Sequence, residues 1–290
     1  MKCELCPRKC GVDRAVSAGF CGAGDRVRAA RAGLHYWEEP CVSGESGSGT
    51  VFFSGCTLRC VFCQNYTISA EGFGKEISDE RLSEIFLELQ QRGANNINLV
   101  SPTPYAAHII RALDMTRGRL KIPVVYNCGG YERQGTLRML KGYIDIYLPD
   151  VKYFSEEAAV RLSQAPNYFE TAMAAVEEML SQTGEPQLEG GLIKRGTIVR
   201  HMVLPYMYKD SIEVINRVAE RFGGSILFSL MSQYTPFYKA LDNPRLNRRI
   251  TTFEYNKALE AVYSAGLEGY MQQRSSAKEE YTPDFDLSGL

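Results

Sequence analysis

The chain has 290 residues, 44% of them hydrophobic, and a formal net charge of −1, which allows a sizeable core and argues against a large nucleic-acid interface. No run approaches the ~18 apolar residues of a membrane span, and the opening Met1-Lys2-Cys3 lacks the apolar stretch of a secretory signal, so no membrane association and a cytoplasmic setting are expected. In a reducing compartment the nine cysteines are not read as disulfides, and two tight groups among them, Cys3/Cys6/Cys10/Cys21 and Cys56/Cys60/Cys63, point to metal instead.

Residues 1–45 are cysteine-rich and poor in periodic pattern, and read as a metal-binding extension. Small residues from Ser43 to Thr50 then form a loop or linker. Beyond it, short apolar runs alternate with helical patterns. Strands are expected near Val51–Ser54, Ile97–Val100, Pro123–Asn127, Ile144–Leu148, Thr197–Leu204 and Ser225–Leu230. Between Arg81 and Gln91, the residues Leu82, Ile85, Phe86 and Leu89 share one helical face, with Ser78 as N-cap. Further helices are expected over Tyr105–Leu113, Glu156–Leu162, Glu170–Leu180, Ser211–Phe222 and Phe253–Ala265. Repeated strand–helix units imply an α/β fold with a parallel sheet: a partial (β/α)6 TIM-like barrel over 46–270. Residues 271–290 are polar and read as a loose or docked tail. In such a barrel, function sits at the C-terminal ends of the strands.

The first predicted strand runs directly into Gly55-Cys56-Thr57-Leu58-Arg59-Cys60-Val61-Phe62-Cys63-Gln64-Asn65. Three thiolates spaced C-x3-C-x2-C on one loop can hold three corners of a [4Fe–4S] cluster and leave one iron open. A structural zinc site takes four protein ligands, and this loop offers three.

The loop, with Phe62 before its third cysteine, resembles the signature of the radical S-adenosylmethionine (SAM) superfamily. The segments His35–Pro40, Gly49–Asn65, Asn98–Pro104, Tyr126–Glu132, Tyr147–Tyr153, Val199–Pro205 and Leu230–Pro236 resemble an uncharacterised branch related to pyruvate formate-lyase-activating enzymes. The resemblance implies that an open iron binds SAM. Reductive cleavage then yields a 5′-deoxyadenosyl radical that abstracts hydrogen, with activation of a glycyl radical enzyme as one outcome. A peptide, an RNA side group or a small metabolite are other candidate substrates. It also implies a low-potential electron donor such as flavodoxin or ferredoxin.

Further site residues follow from strand ends and from the resemblance. Ser101 and Thr103 stand where related enzymes hold the SAM amino group on a glycine-rich turn, and here offer hydroxyl oxygens instead. Asn127 and Gly129 end the third strand, where glycine permits close approach of a ligand. Asp150 and Lys152 resemble the Asp-x-Lys segment that holds the SAM carboxylate, partly through a monovalent cation. Arg200 is expected to face the barrel interior and His201 the helices, by strand alternation. Gln233 ends the sixth strand and is within reach of the adenosine or the substrate. His35, Trp37, Glu38 and Glu39 precede the barrel and read equally as a cap over the site or as a solvated acidic turn. Cys128 reads as a core filler.

Cys3-x2-Cys6-x3-Cys10-x10-Cys21 supplies four thiolates, with glycine after Cys10 and Cys21 as in zinc knuckles. Zinc and an auxiliary [4Fe–4S] cluster are the candidates, with Cys41 as a substitute ligand. The segment is expected to pack near the open face of the barrel. Two readings rival the radical SAM one. A non-catalytic electron carrier or redox sensor would need the cluster but no SAM cavity, and a zinc scaffold would carry no iron.

Overall fold

The computed structural model describes residues 2–272 and 282–290. Among these, ten strands run in the order β1 (Val27–His35), β2 (Ser48–Phe53), β3 (Lys75–Ile77), β4 (Ile97–Val100), β5 (Val124–Cys128), β6 (Ile146–Pro149), β7 (Gln187–Glu189), β8 (Leu192–Met202), β9 (Leu227–Met231) and β10 (Gly269–Met271). Their lateral order is β10-β9-β8-β6-β5-β4-β2-β1-β3, with β7 folded back on β8 as a hairpin. From β2 through β4, β5, β6 and β8 to β9 every neighbouring pair is parallel, giving the six expected barrel strands. β10 adds in parallel to β9, and β1 and β3 add antiparallel on the opposite edge.

Local sequence explains the units. Helix Asp79–Gln91 buries Leu82, Ile85, Phe86 and Leu89, each contributing about 1.5–3 kcal/mol through burial. Its first turn carries Asp79 and Glu80, and the Ser78 side chain accepts from the Arg81 N–H. The remaining expected helices appear as Ala106–Met115, Glu156–Ser163, Tyr168–Thr183, Tyr208–Phe222 and Thr252–Ser264.

Strand alternation sorts the core. Val51, Phe53, Leu99, Tyr126 and Tyr147 face outward under the helices. Val125, Ile146, Leu148 and Ile198 face inward at the base of the barrel, where Cys41 and Val42 of the short helix Pro40–Ser43 pack against them. Cys41 is thereby accounted for as core.

One strand was missed, and the tail takes the docked one of its two expected forms. Strand β1 was not anticipated, because its alanine-rich sequence carries little strand propensity. It pairs with β2 from Ala29 to His35, so the barrel sheet begins well before the expected boundary at residue 45. The tail is docked where it is described. Ser288 O accepts from Ala32 N at 2.9 Å, Leu287 N donates to Ala30 O at 3.0 Å, and Phe285 meets Phe52 edge-on. Much of the expected tail, 273–281, lies outside the described residues.

Candidate active site

The loop after β2 brings Cys56, Cys60 and Cys63 to the wall of one cavity of about 230 Å³ at the C-terminal ends of the parallel strands. All three are free thiols. Leu58 N donates to Cys56 Sγ at 3.4 Å, Ser163 Oγ donates to Cys60 Sγ at 2.9 Å, and Ser69 Oγ lies 3.2 Å from Cys63 Sγ. Burial, then the adjacent Cys60, pushes the Cys56 thiol up to about 12, and the same two causes push Cys63 to about 11. The nearby Lys152 ammonium works in the opposite direction on all three sulfurs. Bare thiols are thus held protonated here, and a metal must displace those protons on binding. Among the described residues, no three His, Cys, Asp or Glu side chains are gathered closely enough to hold a single metal ion. A cubane cluster does not need that, since each cysteine ligates a different iron. Cys128 is not a fourth ligand: its side chain is buried in the outward-facing core. Phe62 lines the cavity and anchors the loop, packing edge-on against Tyr234 at 5.9 Å.

Below the thiols lies a buried polar network. Arg200 points inward from β8 as alternation requires. Its Nε donates to Asp150 at 2.9 Å, Nη1 to Glu38 at 3.1 Å and Nη2 to Asn127 at 2.6 Å. Lys152 Nζ donates to the other Asp150 oxygen at 2.5 Å. Burial pushes the Asp150 carboxyl up, but Arg200 and Lys152 outweigh it and hold it below the usual carboxylate range. Glu38 also accepts from Asn98 Nδ2 at 3.0 Å and Asn127 Nδ2 at 3.1 Å. Its neighbour Glu39 is fully desolvated, which raises its pKa against the pull of Arg200.

Most of the expected residues therefore meet at one place. Ser101, Asn127, Gly129, Asp150, Lys152, Arg200 and Gln233 all line the cavity with the three cysteines. Gln233 is held by Gln272, whose Nε2 donates to its Oε1 at 2.9 Å. Gly130 is required by packing, since it has φ +79° and a Cβ there would sit 2.0 Å from Asp150 O. His201 faces the helices, with Nδ1 2.7 Å from Val151 O, and burial lowers its pKa to about 4. Thr103 is a correction. It points away from the cavity, 2% exposed, and donates to the buried Glu132 at 2.8 and 2.9 Å. Ser101 adopts φ +58°, and this left-handed residue turns the chain so that Thr103 faces the other side. Glu38 and Glu39 were the residues undervalued in sequence, since adjacent carboxylates read as a solvated turn. The helix at Pro40 carries them inside, and Glu38 is only 10% exposed.

The extension packs on the same end of the barrel. Cys56 N donates to Cys21 O at 3.1 Å, Arg8 Nε to Thr57 O at 2.6 Å and Arg59 Nη2 to Phe20 O at 2.5 Å. The guanidinium groups of Arg8 and Arg59 both lie against Phe20, 3.5 and 5.1 Å from its ring centre. Gly55 has φ +86°, and a Cβ there would lie 2.5 Å from Cys21 O, so only glycine lets the two segments meet.

A parallel barrel with three loop thiols above a charged cavity defines a class: barrel enzymes built to hold an iron–sulfur cluster beside a small ligand. The comparison with known families is specific. Residues 50–219 match the radical SAM superfamily, and the chain belongs to it. It is therefore a radical SAM enzyme, for which a [4Fe–4S] cluster and SAM are typical. An uncharacterised protein of Methanocaldococcus jannaschii is 31% identical over 275 residues, covering 92% of this chain and 75% of that protein. Among solved structures, Streptococcus suis SuiB bound to S-adenosylmethionine superposes with a TM-score of 0.52 at 13% identity, over 75% of this chain and 48% of SuiB. Spore photoproduct lyase gives 0.51 at 10% identity, over 76% of this chain and 75% of the lyase. At such identities the likeness speaks to the fold alone, and the chain spans about half the length of SuiB. No helix among the described residues is long and apolar enough to cross a membrane.

Proposed function

We propose that this enzyme cleaves SAM reductively at a [4Fe–4S] cluster on Cys56, Cys60 and Cys63, and abstracts hydrogen from a substrate held at the cavity mouth. The observation that carries this reading is the convergence of three loop thiols and the Asp150–Lys152–Arg200 network on one cavity. When bound, the cluster and SAM supply the electron and the 5′-deoxyadenosyl radical. The chain supplies placement. Lys152 sets a positive charge beside the thiolates. Ser101, Asn127 and Gln233 offer polar groups to the ligand, and Glu38 and Asp150 fix the orientation of Arg200. Both oxygens of Asp150 accept from the protein's own cations, Lys152 and Arg200.

The substrate proposed is a separate polypeptide, with activation of a glycyl radical enzyme as the leading case. Support comes from the motif resemblance and from Trp37, which lines the cavity and is 49% exposed. A flavodoxin or ferredoxin would deliver the electron. The test is 5′-deoxyadenosine formation by anaerobically reconstituted enzyme with SAM and a strong reductant, with and without a candidate glycyl radical protein. Product formation that depends on the three cysteines supports the reading. A fully cluster-loaded enzyme that makes none, with either addition, refutes it.

A further inference from the structure

Four more cysteines gather outside that cavity. Cys3, Cys6, Cys10 and Cys21 ring a separate small hollow, together with Arg14, Phe20, Thr103 and Pro104. The segment is folded tightly around them: Cys3 N donates to Val12 O at 2.9 Å, Gly11 N to Cys3 O at 3.0 Å and Lys9 N to Cys6 O at 3.1 Å. Gly19 lies against the ring, where a Cβ would be 3.2 Å from Cys10 Sγ and 3.6 Å from Cys21 Sγ.

Arg14 is the second, independent observation. Its Nη1 donates to Pro104 O. Its Nε and Nη2 are fully buried and find no hydrogen-bond partner among the described residues. A guanidinium that is out of water with two unused donors is costly unless negative charge lies beside it. It lines the same hollow as Cys21. Neutral thiols do not supply that charge, whereas a four-thiolate metal centre does.

We propose that Cys3, Cys6, Cys10 and Cys21 bind a second metal centre, anionic overall, whose charge is met by Arg14. We further infer that this centre positions the radical cluster loop. The link is short: the carbonyl of ligand Cys21 accepts from the amide of ligand Cys56, and Arg8 and Phe20 clamp Thr57 and Arg59. A metal that fixes Cys21 therefore fixes Cys56. A [4Fe–4S] cluster takes each cysteine on its own iron, whereas a single zinc ion would have to draw the four thiols closer together, since no three of them are gathered around one point, and the experiment separates the two.

The test uses full-length protein purified anaerobically without reconstitution, with iron, sulfide and zinc counted per chain. Wild type is expected to carry metal beyond the catalytic cluster, either further iron with matching sulfide or zinc. The Cys6→Ser/Cys21→Ser variant is expected to lose this extra metal. The iron of the first cluster should also fall by about half or more, with a changed electron paramagnetic resonance signal when reduced with SAM present. Arg14→Met leaves every ligand in place and should release the extra metal to a chelator about tenfold faster, with its far-ultraviolet circular dichroism unchanged. The triple variant Cys56→Ala/Cys60→Ala/Cys63→Ala should keep the extra metal, so failure of the radical reading and of this one are distinguishable. Cys41→Ser should keep all metal. A wild type with one cluster's iron and no zinc overturns the proposal, as does extra metal that survives in Cys6→Ser/Cys21→Ser. Loss of that metal with the first cluster's iron and signal unchanged overturns the positioning role.

Discussion

The two cysteine groups sit back to back, yet they are built for opposite ends. Cys56, Cys60 and Cys63 are three, and they open onto a cavity of about 230 Å³ with Lys152 facing them. Cys3, Cys6, Cys10 and Cys21 are four, and they line a hollow of only about 10 Å³ beside Arg14. Three ligands and space leave a coordination position for a small molecule, whereas four ligands and closure leave none. The cations differ accordingly. Lysine is a mobile point charge that can serve cluster and ligand together, whereas the arginine fork is committed to one direction. Ligand number, enclosure and type of counter-charge together separate a reacting centre from a holding one.

The comparison breaks most visibly at its open half. Replacing Cys56, Cys60 and Cys63 together by Ala should reduce 5′-deoxyadenosine formation to background, read by chromatography, because the cofactors carry the chemistry. Asp150→Asn should come next. It removes the carboxylate between Arg200 and Lys152, so SAM dissociation constants from calorimetry should rise by tenfold or more, about 1.4 kcal/mol. The seam between the halves is tested by Gly55→Ala, which drives a Cβ toward Cys21 O at a left-handed residue and should cost about 1–3 kcal/mol in denaturant unfolding.

Glu132 gives a gentler, pH-dependent effect behind both sites. Burial pushes its carboxyl up from 4.5 to about 8, against the hydrogen bonds from Thr103 and Tyr126. A raised carboxyl favours folding below its unfolded pKa, and that contribution is lost as pH climbs through the folded pKa. Stability should therefore fall between about pH 4.5 and 8, by at most about 1.4 kcal/mol per pH unit from this group. Glu132→Gln should flatten that slope in urea titrations across the same range. Smallest of all, Thr103→Val should leave SAM affinity within about twofold of wild type while lowering stability by about 1 kcal/mol, since it loses a bond to Glu132 and does not line the cavity of the three loop thiols.

What could be read in the sequence followed from periodicity and from motif position. Apolar runs such as Ile97–Val100 announced their strands, Asp150 and Lys152 were placed by family resemblance together with their strand-end position, and Arg200 by resemblance and strand alternation. The failures have local causes. Alanines hid β1 because the strand is held by its pairing with β2 rather than by propensity. Thr103 was misassigned because the resemblance gave only its place after the strand, whereas the positive φ of Ser101 and the helical turn from Thr103 aim its side chain at Glu132. Glu38 was passed over because its burial depends on partners far along the chain, Asn98, Asn127 and Arg200, that no local window contains. Arg14 carried no sequence signal, since its meaning lies in two donors left without partners.

The short helix Pro40–Ser43 has a consequence for the order of events. With Cys41 and Val42 wedged among Val125, Ile146 and Ile198, the barrel is stoppered at its foot and served from the mouth. A vessel with one doorway imposes a queue: the guest that sits deepest must arrive first and leave last. A polypeptide substrate lying over Trp37 would close that doorway on the smaller molecule beneath it. Under the proposed function, catalysis in such a well would be ordered, with the small molecule bound before the polypeptide and released after it.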